Sequence, residues 1–205
     1  NALQVMYANI RMLVQLLLIG YVLTYIFETD EPVLVVLVVI FMIAMSSWIA
    51  LRPLIDRGIK PYSIVVIAIG VSGLGVLMLV TQIILELPRW YEPRFVIPLA
   101  GMVFANSMNT ISLAGERFHA ERGRGEDYLS ARRLAMEAAM IPQVNALLAV
   151  GLVSLPGMMT GQILSGVEPL IAARYQIMVM CMIFSTAGIA AVIYMALKKN
   201  SATDG

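Results

Sequence analysis

Two adjacent thioethers, Met158 and Met159, stand within GLVSLPGMMTG at residues 151–161. Thioether sulfur is a soft ligand that favours Cu(I) over hard cations, so the pair could touch a soft metal weakly. The chain holds fifteen methionines, and methionine is also a flexible apolar filler that lets helices repack. Both readings stand. Around the pair lie groups that cost energy at membrane depth unless they pair or line a cavity. Ser154, Met158 and Gln162 are four apart and would share one helical stripe. Earlier, Met102, Asn106 and Asn109 fall at i, i+4 and i+7, again on one face. Gln143, Asn145, Thr160, Gln176, Ser185 and Thr186 add further polar groups. Each could simply join helices by hydrogen bonds. As a set they are read as a polar path, with Asn106, Asn109, Ser154, Met158, Met159 and Gln162 as the expected lining.

Catalytic chemistry is not expected. The chain has no GxxxxGK[ST] loop to cradle phosphates, no GxSxG elbow and no HExxH helix. Its one histidine, His119, sits in a charged stretch and reads as solvated. Its one cysteine, Cys181, lies in an apolar run, so no disulfide within the chain and no zinc spacing exist. No cofactor is expected on this chain.

The elements that must hold these groups are membrane helices. The 205 residues are 60% hydrophobic and 13% charged, with a mean hydropathy of +0.85, against roughly 25% charged in soluble domains. The expected fold class is all-α, a polytopic helical membrane protein forming one transmembrane domain over residues 1–205. Six apolar segments approach the ~20 residues that cross a bilayer: 9–27, 33–51, 63–85, 95–114, 138–164 and 170–197. No cleavable signal peptide is expected. Pro156 removes a backbone donor and frees the carbonyl of Leu152, so with Gly157 it should kink or break the fifth segment. Irregular backbone at that depth is tolerated where it is buried or lines an aqueous cavity. Gly157 and Gly161 form GxxxG, which would permit close helix approach.

Charge sets the orientation. Arg11, Arg52, Arg57, Lys60, Arg117, Arg122, Arg124, Arg132, Arg133, Lys198 and Lys199 would share one side. Arg89, Arg94 and Arg174 would lie on the other, with Glu28, Asp30, Glu31, Glu86, Glu92 and Glu168. The positive-inside rule puts the larger basic set in the cytoplasm. Trp90 and Tyr91 then belong to an outer interfacial loop. The longest polar stretch, residues 116–137, is cytoplasmic, with hinge-permissive Gly123 and Gly125 and an amphipathic helix over 126–137.

The segments VIPLAGMVFANSM, GLVSLPGMMTGQILSG and EPLIAARYQIMVM, with QLLLIGYVLTYIF near the start, resemble the FetB-type permeases. These are the membrane subunits of a bacterial iron-export ABC transporter, and plant aluminium-tolerance permeases are similar. The resemblance implies a bacterial inner-membrane protein acting as two copies with a separate cytoplasmic ATPase, which carries ATP and Mg. It makes residues 116–137 the coupling segment, with Arg122, Arg124, Glu126, Asp127, Tyr128, Leu129, Arg132 and Arg133 as contacts. A charged amphipathic helix can seat in a groove of another subunit. The chain departs from the family pattern twice: six helices where seven are usual, and Arg132-Arg133 directly after Leu129-Ser130-Ala131 where about ten more residues are usual. Export of a soft metal or porphyrin, an ion-coupled transporter without an ATPase, and a membrane scaffold are the competing readings. Nucleic acid is not an expected partner.

Overall fold

The computed structural model describes residues 2–29, 31–54 and 58–203; Asp30 and Arg57, used above for orientation, lie outside them. The elements are α1 (Ala2–Thr29), α2 (Pro32–Ala50), α3 (Ile59–Met78), α4 (Pro93–Gly123), α5 (Tyr128–Ala149), α6 (Gly157–Leu164) and α7 (Pro169–Thr203). Pro32, Pro93 and Pro169 each open a helix, where a missing N–H costs nothing and the fixed φ is already helical. The chain leaves α3 through π-helical turns over Leu79–Ile84, and Leu85 N–H closes on Val80 O at 2.9 Å.

The protein is all-α and polytopic. Among the described residues five helices are long and apolar enough to span a membrane: α1, α2, α3 with its π-turns, α4 and α7. The fifth segment expected from sequence is two pieces. Helix α5 ends at Ala149 and α6 starts at Gly157. The chain still runs the length of the bundle there. The start of α5 and the end of α7 meet, through Tyr128 and Met195, so residues 128–169 must carry the chain to the opposite end, where α7 begins.

Helix α4 is central and packs on α2, α3, α5 and α7. Small residues bring the helices close. A Cβ on Gly73 of α3 would stand 2.5 Å from Phe104 Cε1, and one on Gly115 of α4 would stand 2.7 Å from Leu54 Cδ2. Helix α5 buries Ala131, Ala135, Ala139 and Gln143, one residue per turn on one face. By contrast, among the described side chains of α1 only Ile26 is buried, with Leu23 and Phe27 packed on the core.

Several hydroxyls inside the bundle find acceptors on their own helices, where no water is available to satisfy them, while Ser47 Oγ and Ser107 Oγ have no partner among the described residues. Ser72 donates to Ala68 O at 2.6 Å, Thr81 to Leu77 O at 2.9 Å and Thr186 to Met182 O at 2.8 Å. Arg52, at the end of α2, lies at the same end of the bundle as the α4–α5 turn and Lys198. The contacts that fix this are Ser112 Oγ to Ala50 O, 2.9 Å, and Lys198 Nζ to His119 Nε2, 3.2 Å.

Candidate functional site

The charged stretch folds as the tip of an αα-hairpin. Helix α4 runs on to Gly123, well past Ala114, because ERFHAER contains good helix formers and no breaker. The turn uses Gly125 at φ +93°, a left-handed conformation that favours glycine. Asp127 then caps α5, accepting the Ser130 N–H at 2.9 Å. Hydrogen bonding from the Ser130 side chain first, and this N–H bond second, hold the Asp127 carboxyl below its ordinary pKa.

The tip is braced from inside. Glu121 is buried and pairs with Arg117 Nη2 at 2.7 Å and Arg124 Nη1 at 2.9 Å. Arg122 Nη1 donates to Glu126 O at 2.8 Å. Tyr128 turns inward: its hydroxyl donates to Met195 O at 2.8 Å and its ring meets Phe118 edge-on at 5.5 Å. Burial raises the Tyr128 phenol pKa. His119, expected to be solvated, is instead half-buried on α4, 2.8 Å from Gly115 O through Nδ1. Lys198 lies over the Phe118 ring at 5.3 Å.

What remains outward is Arg122, Arg124, Glu126, Leu129, Ser130 and Arg133. Leu129 is 67% exposed. It lines a shallow groove of about 380 Å³ with Glu126, Ser130, Arg133 and Leu134. Arg132 is half-buried, and Arg133 pairs with Glu137 at 3.3 Å across an exposed turn. Helix α5 passes through residues 129–133 without interruption.

At membrane depth the amides divide. Gln143, on the alanine stripe of α5, donates through Nε2 to Thr110 Oγ1 at 3.3 Å and Asn106 Oδ1 at 3.4 Å. Asn106 Nδ2 returns to Met102 O at 2.8 Å, and Thr110 donates to Asn106 O at 3.0 Å. Asn106 is therefore tied into an α4–α5 hydrogen-bond cluster. Thr110 was not singled out from sequence, although its place four residues after Asn106 was a usable signal. Asn109 and Asn145 are exposed on the protomer surface.

The broken stretch departs from the expected stripe. Residues 150–156 are not helical. Gly151, at φ +80°, donates its N–H to Ser154 O at 3.0 Å, and Pro156 serves as the N-cap of α6. Ser154 consequently stands in the loop, exposed, and does not continue the face of Met158 and Gln162. Met158 packs on the core, and Met159 is half-buried. The expected close approach at Gly157 and Gly161 is not made among the described residues, where a Cβ on either would meet nothing within 4 Å.

Helix α6 lies against α7, and each carries a buried amide oxygen with no hydrogen-bond partner among the described residues, Gln162 Oε1 and Gln176 Oε1. A buried acceptor without a donor costs ~1–3 kcal/mol. Among the described residues no three His, Cys, Asp or Glu side chains cluster to hold a metal.

Comparison with known sequences agrees with this architecture. The profile of an uncharacterised protein family, UPF0014, matches residues 2–202. The UPF0014 membrane protein YjkA of Bacillus subtilis is 37% identical, over 93% of this chain and 80% of its own length. The protein named probable iron export permease protein FetB of Escherichia coli is 34% identical, over 92% of this chain and 78% of its own. The UPF0014 membrane protein STAR2 of Oryza sativa is 30% identical, over 93% and 70%. No solved structure matches.

Proposed function

Since the chain belongs to the UPF0014 family of membrane proteins, we propose that it is the permease subunit of an ATP-driven exporter that moves a metal, iron first, out of the cytoplasm. The cargo comes from the printed name of the Escherichia coli relative. The observation that carries the mechanism is the α4–α5 hairpin. Its outward groove around Leu129 offers a seat to a soluble subunit, and its inward face is tied to α7 by Tyr128 and Met195. A pull on the tip would move α4, α5 and α7 together. ATP and Mg act on the partner ATPase, and the membrane is the bacterial inner membrane with the hairpin in the cytoplasm.

A second copy completes the path. Asn109, Asn145 and the open backbone at 150–156 lie on the protomer surface, and lipid cannot satisfy such groups. Facing another copy, they line a polar cleft, while Gly157 and Gly161 leave room for close contact. Gln162 Oε1 supplies a hard oxygen acceptor beside Met158 and Met159. The two thioethers favour a second reading, in which the cargo is a soft metal or a porphyrin. An ion-coupled mechanism finds little support: Glu121, the buried carboxylate among the described residues, is held by Arg117 and Arg124 at the bundle's end.

The test is transport. Inside-out vesicles holding permease and ATPase should take up Fe(II) only with ATP, and Met158→Leu with Met159→Leu should keep the fold and slow uptake. ATP-independent uptake sinks the exporter reading; an unchanged rate in the double variant makes the methionines filler.

A further inference from the structure

Helix α6 buries none of its own residues, and the helix it lies against is α7. Upstream, residues 150–156 give it slack. That loop bonds back on itself, Val153 N–H to Ala149 O at 2.8 Å and Gly151 N–H to Ser154 O at 3.0 Å, while the Leu152 and Val153 side chains stand exposed. Downstream, α6 ends on a fixed point. Gly166, at φ +90°, donates its N–H to Ile163 O at 3.0 Å, and Val167 N–H donates to Gln162 O at 3.0 Å. This paired cap needs a left-handed residue, which glycine supplies without strain. One end of α6 is therefore anchored at the turn before α7, and the other hangs on a slack loop.

The contact with α7 also traps two acceptors. The helices fold back on each other across residues 165–168. Gln162 stands two residues before α6 ends and Gln176 seven after α7 begins, a difference in level of about 7.5 Å at 1.5 Å per residue. Helical side chains lean toward the N-terminus of their own helix. Gln162 thus leans away from the turn and Gln176 toward it, which brings the two amides toward one level. Each holds a buried Oε1 without a hydrogen-bond partner among the described residues, and one acceptor cannot satisfy another.

We propose that α6 is a hinged flap, which pivots at Gly166 between the closed position seen here and an open one off α7. Closure forgoes hydrogen bonds to Gln162 and Gln176 that water supplies in the open position. Met158, packed on the core, opposes opening, and the rest of α6 adds little. Segments with few buried contacts are the ones that open at lowest free energy. Opening turns Met158, Met159 and Gln162 away from α7 toward the cleft. That this cleft is the transport path rests on the exporter reading; the motion itself does not, so the permease alone tests it.

Spin labels are placed at Leu155→Cys, beside the Pro156 cap of α6, and at Ile177→Cys on α7; both side chains are exposed. Cys181, the chain's one cysteine, is changed to Ser. Labelled permease is diluted with unlabelled permease in nanodiscs, so that only distances within one copy are read by double electron–electron resonance. Two distance populations should appear, the shorter one closed. Gln162→Leu removes a trapped acceptor at similar volume and should raise the closed-to-open ratio about fivefold, the factor that ~1 kcal/mol for one unsatisfied acceptor corresponds to. Gln176→Leu should raise it in the same direction, and decides alone if the first variant does not fold. A single population, or a ratio that these changes leave unaltered or lower, overturns the flap. Failure of the exporter reading shows instead as ATP-independent uptake in vesicles, and leaves these distances as they are.

Discussion

Replacing Gln143 by Leu tests whether the α4–α5 amide cluster holds helices together. Gln143 is 8% exposed, and its two interhelical bonds are long, 3.3 and 3.4 Å. Interhelical side-chain hydrogen bonds in membranes average about 0.6 kcal/mol each, so the pair is worth about 1.2 kcal/mol. Leucine refills most of the volume, so no large cavity follows. It leaves Asn106 Oδ1 without this donor, which adds ~1 kcal/mol. Asn106 Nδ2 and the Thr110 hydroxyl keep their acceptors on α4. The expected loss is about 2 kcal/mol, read from SDS-titrated unfolding in mixed micelles by tryptophan fluorescence. Asn106→Leu with Gln143→Leu should cost less than the sum of the two single changes by about 1 kcal/mol, because the double change strands neither partner. Transport should fall only with the folded fraction. Single changes each costing under about 0.3 kcal/mol and adding independently would refute the cluster. A transport loss in fully folded protein would return these amides to the path lining.

Gly73→Ala should destabilise by about 1–3 kcal/mol in the same titration, since its Cβ would meet the buried Phe104 ring and overpack the core. Gly161→Ala, with nothing within 4 Å in the protomer, should leave monomer unfolding unchanged and weaken self-association, read by cross-linking. Tyr128→Phe removes the bond to Met195 O at a cost of about 1 kcal/mol, and should speed hydrogen exchange at residues 124–130. Asp127 titrates below its ordinary value, so its cap is fully present above the unfolded pKa and is lost as pH falls through the lower folded one; Asp127→Asn should remove that pH dependence from exchange at Ser130.

The broken fifth segment was legible from local chemistry. Pro156 lacks an N–H and stands among glycines, and the break falls at residues 150–156; proline alone is not enough, since Pro98 and Pro142 lie inside α4 and α5. The glycine hinge and the helix after it, expected over 126–137, were also legible, because Gly125 acts locally; the Asp127 cap was not singled out. Features that depend on register were not. Ser154 shares a stripe with Met158 only if the helix runs through Pro156, and it does not. The bond between Gln143 and Asn106 needs α4 and α5 set against each other, which neither segment encodes alone. Ending α4 at Ala114 followed hydropathy, but hydropathy marks where a helix leaves the apolar layer and not where its hydrogen bonding ends. The same error placed His119 in a solvated loop. Gly157 and Gly161 meet nothing among the described residues, because a GxxxG face records permission for contact, not the partner.

The central claim is that the hairpin tip docks an ATPase, and its binding is the most direct measurement. The permease in nanodiscs is titrated with the candidate ATPase, followed by biolayer interferometry, as the unaltered chain and with Leu129→Asp and Arg133→Glu. Both positions point outward and neither braces the tip, so the bundle should fold normally. The account predicts saturable binding that weakens at least tenfold in the double variant, about 1.4 kcal/mol, together with loss of metal-stimulated ATP hydrolysis. Unchanged affinity in the variant, or no binding to the unaltered chain, contradicts it.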